Sequence, residues 1–133
     1  MDLNELDLTK SADIGAVMEV MHPITGESLA DKAGNIMTLT LVGIDSKRLR
    51  EAMKVRARIE MAKRKPAKFD LDDAENKAAE LLAACTIGWS NVIEGGVEVE
   101  FSEDNVKRIY LKYGWLRQQA DAFINDRVNF FKA

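Results

Sequence analysis

The sequence predicts an α+β fold, mainly α: an N-terminal β-hairpin-like unit (1–45) followed by a helical part (46–133) with about four helices, all in one domain. Three observations predict it. Apolar residues alternate with threonine around "MTLTL" at 37–41, the period of a half-buried strand. From Asp45 onward they recur every three or four residues, the period of helices. Pro66, Gly95–Gly96 and Gly114 then cut the helical part into pieces of ordinary length.

Each element has its own grounds. The opening "MDLNELDLTK" is acidic and has no apolar period, so it is expected to fray. "AVMEVM" is a weaker strand, and in "GNIMTLTLVG" Met37, Leu39 and Leu41 point one way while Thr38 and Thr40 point the other. Between them "HPITGE" is a turn, because Pro23 fixes φ and Gly26 accepts a positive one. Ser28 to Asn35 reads as a loose loop.

Ser46 is placed to cap a helix over "KRLREAMKVRARIEMAKRK", whose stripe Leu49, Ala52, Val55, Ile59, Ala62 is predicted to face inward. Pro66 should stop it, since proline lacks the amide and crowds the preceding turn. "KPAKF" is a connector. Asp72 and Glu75 then open a second helix, in which Leu71, Ala74, Ala78, Leu81, Cys85, Gly88 and Val92 form a long stripe widened by Leu82, Trp89 and Ile93. Gly95–Gly96 is its expected terminator. "VEVEF" is a short strand or extended segment. Ser102 caps a helix to about Tyr113, Gly114 breaks it, and "WLRQQADAFINDRVNFFK" turns Leu116, Ala120, Phe123, Ile124, Val128 and Phe131 inward.

Composition narrows the function classes. Hydrophobic residues at 47% and charged residues at 31% describe a globular chain. No uncharged apolar run approaches the ~20 residues of a membrane span, and no secretory signal is expected. One cysteine, Cys85, precludes an internal disulfide and suits a reducing cytoplasm; one histidine, His22, leaves little for triads or zinc sites. His22 reads as a hydrogen-bonding residue beside Pro23, and Cys85 as a small hydrophobe on a helix stripe. Carboxylate groups such as Asp70, Asp72 and Asp73 lack the spacing of a calcium loop. No catalytic, cofactor or metal residue is assigned, and no enzymatic activity is expected.

The formal charge of −3 hides a sandwich: residues 1–46 carry eight acids against two bases, 47–68 ten bases against two acids, and 69–133 twelve acids against seven bases. The basic run can bind phosphates. It has no aromatic side chains to stack on bases, so a solvated face or a patch matched to acidic protein is preferred, with Arg56 and Arg58 as contact candidates. Aromatic residues concentrate after residue 88. Phe130 and Phe131 are adjacent, about 100° apart on a helix, so with Trp115 and Phe123 they read either as an apolar patch for a partner or as ordinary core packing.

Two stretches carry a resemblance: "HPITGESLADKAGNIMTLTLVGIDSKRLREA" and "GWSNVIEGGVEVEFSEDNVKRIYLKYGWLRQQADAFINDRVNFF". A Pro-x-Thr-Gly turn, a strand closed by Gly-x-Asp-Ser and a helix, a Trp-x-Asn-Val helix end, Gly-Gly, a Phe-Ser helix cap and a final helix ending Asn-Phe resemble the tail assembly chaperones of long-tailed bacteriophages. The resemblance covers most of residues 22–131. It implies a protein that binds and solubilises the tape measure protein, acts in the host cytoplasm during virion morphogenesis and is absent from the finished virion. It further implies a longer form, made by ribosomal frameshifting, that recruits tail tube subunits; Asn129-Phe130-Phe131 can be encoded by a slippery run. Self-association suits a long client. No cofactor, nucleic acid or membrane is implied. The rival readings are a small nucleic-acid-binding regulator using 47–65 and a small structural head-tail component.

Overall fold

The structure is a computed structural model that describes residues 2–63 and 70–131. The expected α+β, mainly helical architecture is present. In chain order it comprises a 3-10 turn (Leu3–Leu6), α1 (Thr9–Ile14), β1 (Ala16–Glu19), β2 (Thr38–Leu41), α2 (Lys47–Met61), α3 (Leu71–Cys85), β3 (Thr86–Ser90), β4 (Ile93–Glu94), β5 (Val97–Glu98), α4 (Glu103–Lys112), α5 (Gly114–Asn125) and a 3-10 turn (Arg127–Phe130). Pro66, the "KPAKF" connector and the basic residues Arg64, Lys65 and Lys68 lie outside the described residues.

β1, β2 and β3 form an antiparallel sheet in that order, with Met18 opposite Leu39 and Leu39 opposite Trp89. Its inner face buries Leu39 and Leu41, as the alternation predicts, together with Met18 and Thr86, while Val17 on the outer face is exposed. Against the inner face lie Ala79, Leu82 and Cys85 of α3, Val106, Ile109 and Tyr110 of α4, and Leu116, Ala120 and Ile124 of α5, joined in one core. At the bottom of this core Thr86 Oγ1 lies 2.7 Å from both the Leu82 carbonyl and the Tyr110 hydroxyl. The Thr86 hydroxyl donates to the carbonyl, which only accepts, so Tyr110 donates to Thr86.

β3 corrects the expected long helix. The stripe through Cys85, Gly88 and Val92 fits a 3.6 period, but the chain leaves the helix at Cys85 and pairs with β2 instead. Thr86 and Ile87 are β-branched and suit a strand, and β2 offers them a complete backbone partner that a helix stripe in isolation does not reveal. Gly95 and Gly96 (φ +61° and +78°) are therefore not a helix terminator but the two-residue turn of the β4–β5 hairpin.

The N-terminus is also more ordered than expected. α1 buries Ala12, its Asp13 carboxylate accepts the Lys47 amide at 2.7 Å, and the Ala12 carbonyl accepts the Gly43 amide. The segment Gly43-Ile44-Asp45-Ser46 is a junction. Ile44 N–H donates to the Ile124 carbonyl, Asp45 holds Arg127 in a two-pronged ion pair (2.8 and 3.1 Å), and Ser46 Oγ accepts the Leu49 amide as the expected cap of α2.

The stripe predicted for α2 is largely not buried. Leu49 is covered, but Val55 and Ile59 are about half exposed. α2 instead turns a polar edge to α3: Arg56 meets Glu80 (3.2 Å), Glu60 meets Lys77 (3.1 Å) and Lys63 meets Asp73 (3.9 Å), an antiparallel ladder of ion pairs. Such a ladder cannot be read from either helix alone, because each charge fits a solvated face equally well.

Candidate interaction surface

Two cavities adjoin beside the β4–β5 hairpin and share Leu29, Met37 and Ile93. One, of about 620 Å³, runs past Ala30, Asp31, Lys32 and Asn91; the other, of about 160 Å³, ends on Val92, Tyr113, Trp115 and Leu116. Together they make an open groove with an apolar floor.

Its walls are built by local chemistry. The loop from Ser28 to Asn35, read as loose, is tied down: Leu29 bonds to Val20 and Met37 through the backbone (2.9 and 2.8 Å), and Asp31 Oδ1 accepts the amides of Ala33 and Asn35. Asp31 thereby holds its carboxyl below the usual carboxylate range, chiefly through the bonds from Asn35. On the facing wall Asn91 takes a positive φ of 61° and its side-chain amide donates to the Ile36 carbonyl at 2.9 Å, joining the two walls. Trp89 Nε1–H donates to the Val99 carbonyl and the ring meets Phe101 edge to face at 5.4 Å, seating the return strand.

Glu94 anchors the hairpin to the helices. Its carboxylate accepts the Tyr113 hydroxyl at 2.6 Å and pairs with Arg108 (2.9 Å) and Lys112 (3.2 Å). The Tyr113 bond first, then the two cations, hold its pKa down to about 2. Tyr113 in turn meets Trp115 edge to face at 6.3 Å. On α5, Gln119 clamps Met21 reciprocally, accepting its amide (3.1 Å) and donating to its carbonyl (2.7 Å), which fixes the base of the "HPITGE" turn.

The residues expected at a partner site do not come together. Trp115 lies in the groove. Phe123 is half-buried and Phe130 is only 4% exposed, sealed against Phe123 at 5.5 Å. The expected C-terminal patch is thus corrected: the chain leaves α5 after Asn125, and the following 3-10 turn sends Phe130 inward and leaves Phe131 51% exposed, with Val128 outside as well. The stripe expected to carry Val128 and Phe131 inward therefore ends with α5, and Phe130 takes the inward place instead. Arg56 is turned into the ladder with Glu60 and Glu80, whereas Arg58 stays on the exposed side of α2.

The groove escapes sequence reasoning because Met37 reads as one face of a strand, Ile93 as part of a helix stripe and Leu29 as loop; the signal available was Gly-Gly as a hairpin turn. His22 has the hydrogen-bonding role expected, its Nδ1 accepting the amides of Ile24 and Thr25. Cys85 is fully buried, and burial pushes its thiol up to about 12. Among the described residues no group of three His, Cys, Asp or Glu is placed to hold a metal ion, and no helix is long and apolar enough to cross a membrane. The fold and groove define a mainly helical α+β domain with a preformed apolar cleft. No family model, curated protein or solved structure matches the chain.

Proposed function

We propose that this chain is a tail assembly chaperone of a long-tailed bacteriophage, holding apolar helical segments of the tape measure protein in solution until tail tube subunits, recruited by a longer form, surround it. The resemblance of the sequence motifs supports the choice of family. The observation that carries the mode of action is the groove of Leu29, Met37, Ile93 and Trp115, an apolar cleft with polar rims that accepts the apolar face of a client helix. Holding requires surface rather than chemistry, and the groove walls are cross-tied, so binding needs little reorganisation.

The nucleic-acid reading is weakened by the ladder, since Arg56 and Lys63 are matched to Glu80 and Asp73 of α3. Co-expression tests the proposal. The chain should move an otherwise insoluble tape measure protein into the soluble fraction, and Ile93→Ser, at a groove side chain 37% exposed, should reduce that rescue in a chain that still melts cooperatively. A tape measure protein that stays insoluble with the wild-type chain, or a groove variant that rescues fully, would overturn it.

A further inference from the structure

α2 presents a second surface of different character. Val55 and Ile59, four residues apart and 52% and 47% exposed, form an open apolar pair, while Met53 and Met61, 53% and 85% exposed, point to other sides of the helix. Lys54 and Arg58 are exposed beside that pair. The helix Lys47–Met61 carries six bases against two acids. Arg56 is matched to Glu60 and Glu80, Lys54 to Glu51, and Arg48 donates to the Ala84 carbonyl, which leaves Arg50 and Arg58 exposed and without an acidic partner among the described residues.

We infer that this outer face of α2 docks an acidic amphipathic helix of the client, one whose apolar residues recur at i, i+4 and i+7 between glutamates or aspartates; the inference rests on the reading that the chain holds a helical protein. Charge complementarity selects the occupant. Apolar side chains interleaved with cations match a helix of that pattern, whereas a phosphate backbone gains nothing from Val55 and Ile59, and α2 has no aromatic side chain on which a base can stack. A second copy of the chain is the poorer match: its acidic N-terminal segment exposes Leu3 and Leu6 on a 3-10 turn of four residues, too short to lie along α2. Among the described residues the other long helices expose single large apolar side chains, Leu71 on α3 and Leu111 on α4, and none on α5. At 1.5 Å per residue α2 spans about 22 Å, room for roughly four turns of partner. The cations would speed capture and set orientation, and the Val55 and Ile59 side chains would hold the complex.

The probe is a labelled synthetic helix of about 18 residues with leucines at those positions and flanking glutamates, titrated into the full chain, beside a twin with lysines for the glutamates. The acidic peptide should bind, weaken about tenfold on raising salt from low to 0.5 M, and outbind its lysine twin by at least about tenfold. Val55→Ser with Ile59→Ser, and separately Arg58→Glu, should each cost about tenfold in Kd with the melting temperature unchanged, since all three side chains are exposed. Equal binding of both peptides, or variants that bind as wild type, would refute the inference. So would displacement of the peptide by an equimolar duplex DNA, or a wild-type dimer that the variants convert to monomer. Rescue of the tape measure protein is scored in parallel. An α2 variant that rescues fully sinks this inference and leaves the chaperone reading standing, whereas a wild-type chain that binds the peptide but never rescues sinks the chaperone reading alone.

Discussion

Phe130 lies directly over Gly43: a Cβ at Gly43 would fall 3.0 Å from the Phe130 ring and 3.1 Å from the Ala12 methyl. The same ring meets Phe123 edge to face. The chain end, the turn before α2 and the first helix thus close one corner of the core around one aromatic side chain.

That corner separates two neighbouring phenylalanines. Phe130→Ala should cost about 3 kcal/mol, lowering the melting temperature by roughly 10 °C, because it opens a cavity. Phe131→Ala should stay within about 0.5 kcal/mol. Gly43→Ala should cost about 1–3 kcal/mol by overpacking, and Phe130→Leu in the same chain should return part of it. Thermal melts of the four variants check this; equal losses at Phe130 and Phe131 would contradict the burial described.

The Thr86–Tyr110 bond makes a directional prediction. Tyr110→Phe removes a donor and leaves Thr86 still bonded to Leu82, so it should cost only about 1 kcal/mol. Thr86→Val strands the Tyr110 hydroxyl in the core and should cost about 1–3 kcal/mol, while the double variant should cost less than the two losses combined. Strict additivity in a denaturant double-mutant cycle would count against the bond. Burial raises the Tyr110 pKa, so this hydroxyl should remain protonated through mild alkali.

Glu94 ties the groove to acid stability. Its folded pKa, about 2, lies below the ordinary 4.5, so the stabilisation it brings is complete above about 4.5 and is lost as pH falls through about 2. Wild type should melt above Glu94→Gln at pH 7, and the gap should close across that acid window. Tryptophan emission should report the change, since Trp115 shares the groove wall with Glu94. A gap that persists at pH 2 would refute the assignment.

Features encoded by neighbours in the chain were legible beforehand. The caps at Ser46 and Ser102 and the alternation of Leu39 and Leu41 fall where the residues alone place them, and the break expected at Gly114 falls one residue earlier, at Tyr113, because each depends on a hydrogen bond or steric preference within a few residues. β3, the inward Phe130 and the two faces of α2 were not legible. Each is a choice between local conformations or faces of similar cost, decided by a partner far away in sequence: β2 for Thr86–Ser90, Gly43 and Ala12 for Phe130, and the acids of α3 for Arg56. The chemistry of the groove follows the same division. The sequence by itself determined that Leu29, Met37, Ile93 and Trp115 are apolar; only the tertiary structure decided that they share one wall of solvent, because the segments bearing them meet through pairings such as Asn91 with Ile36 and Glu94 with Tyr113 that no local pattern announces.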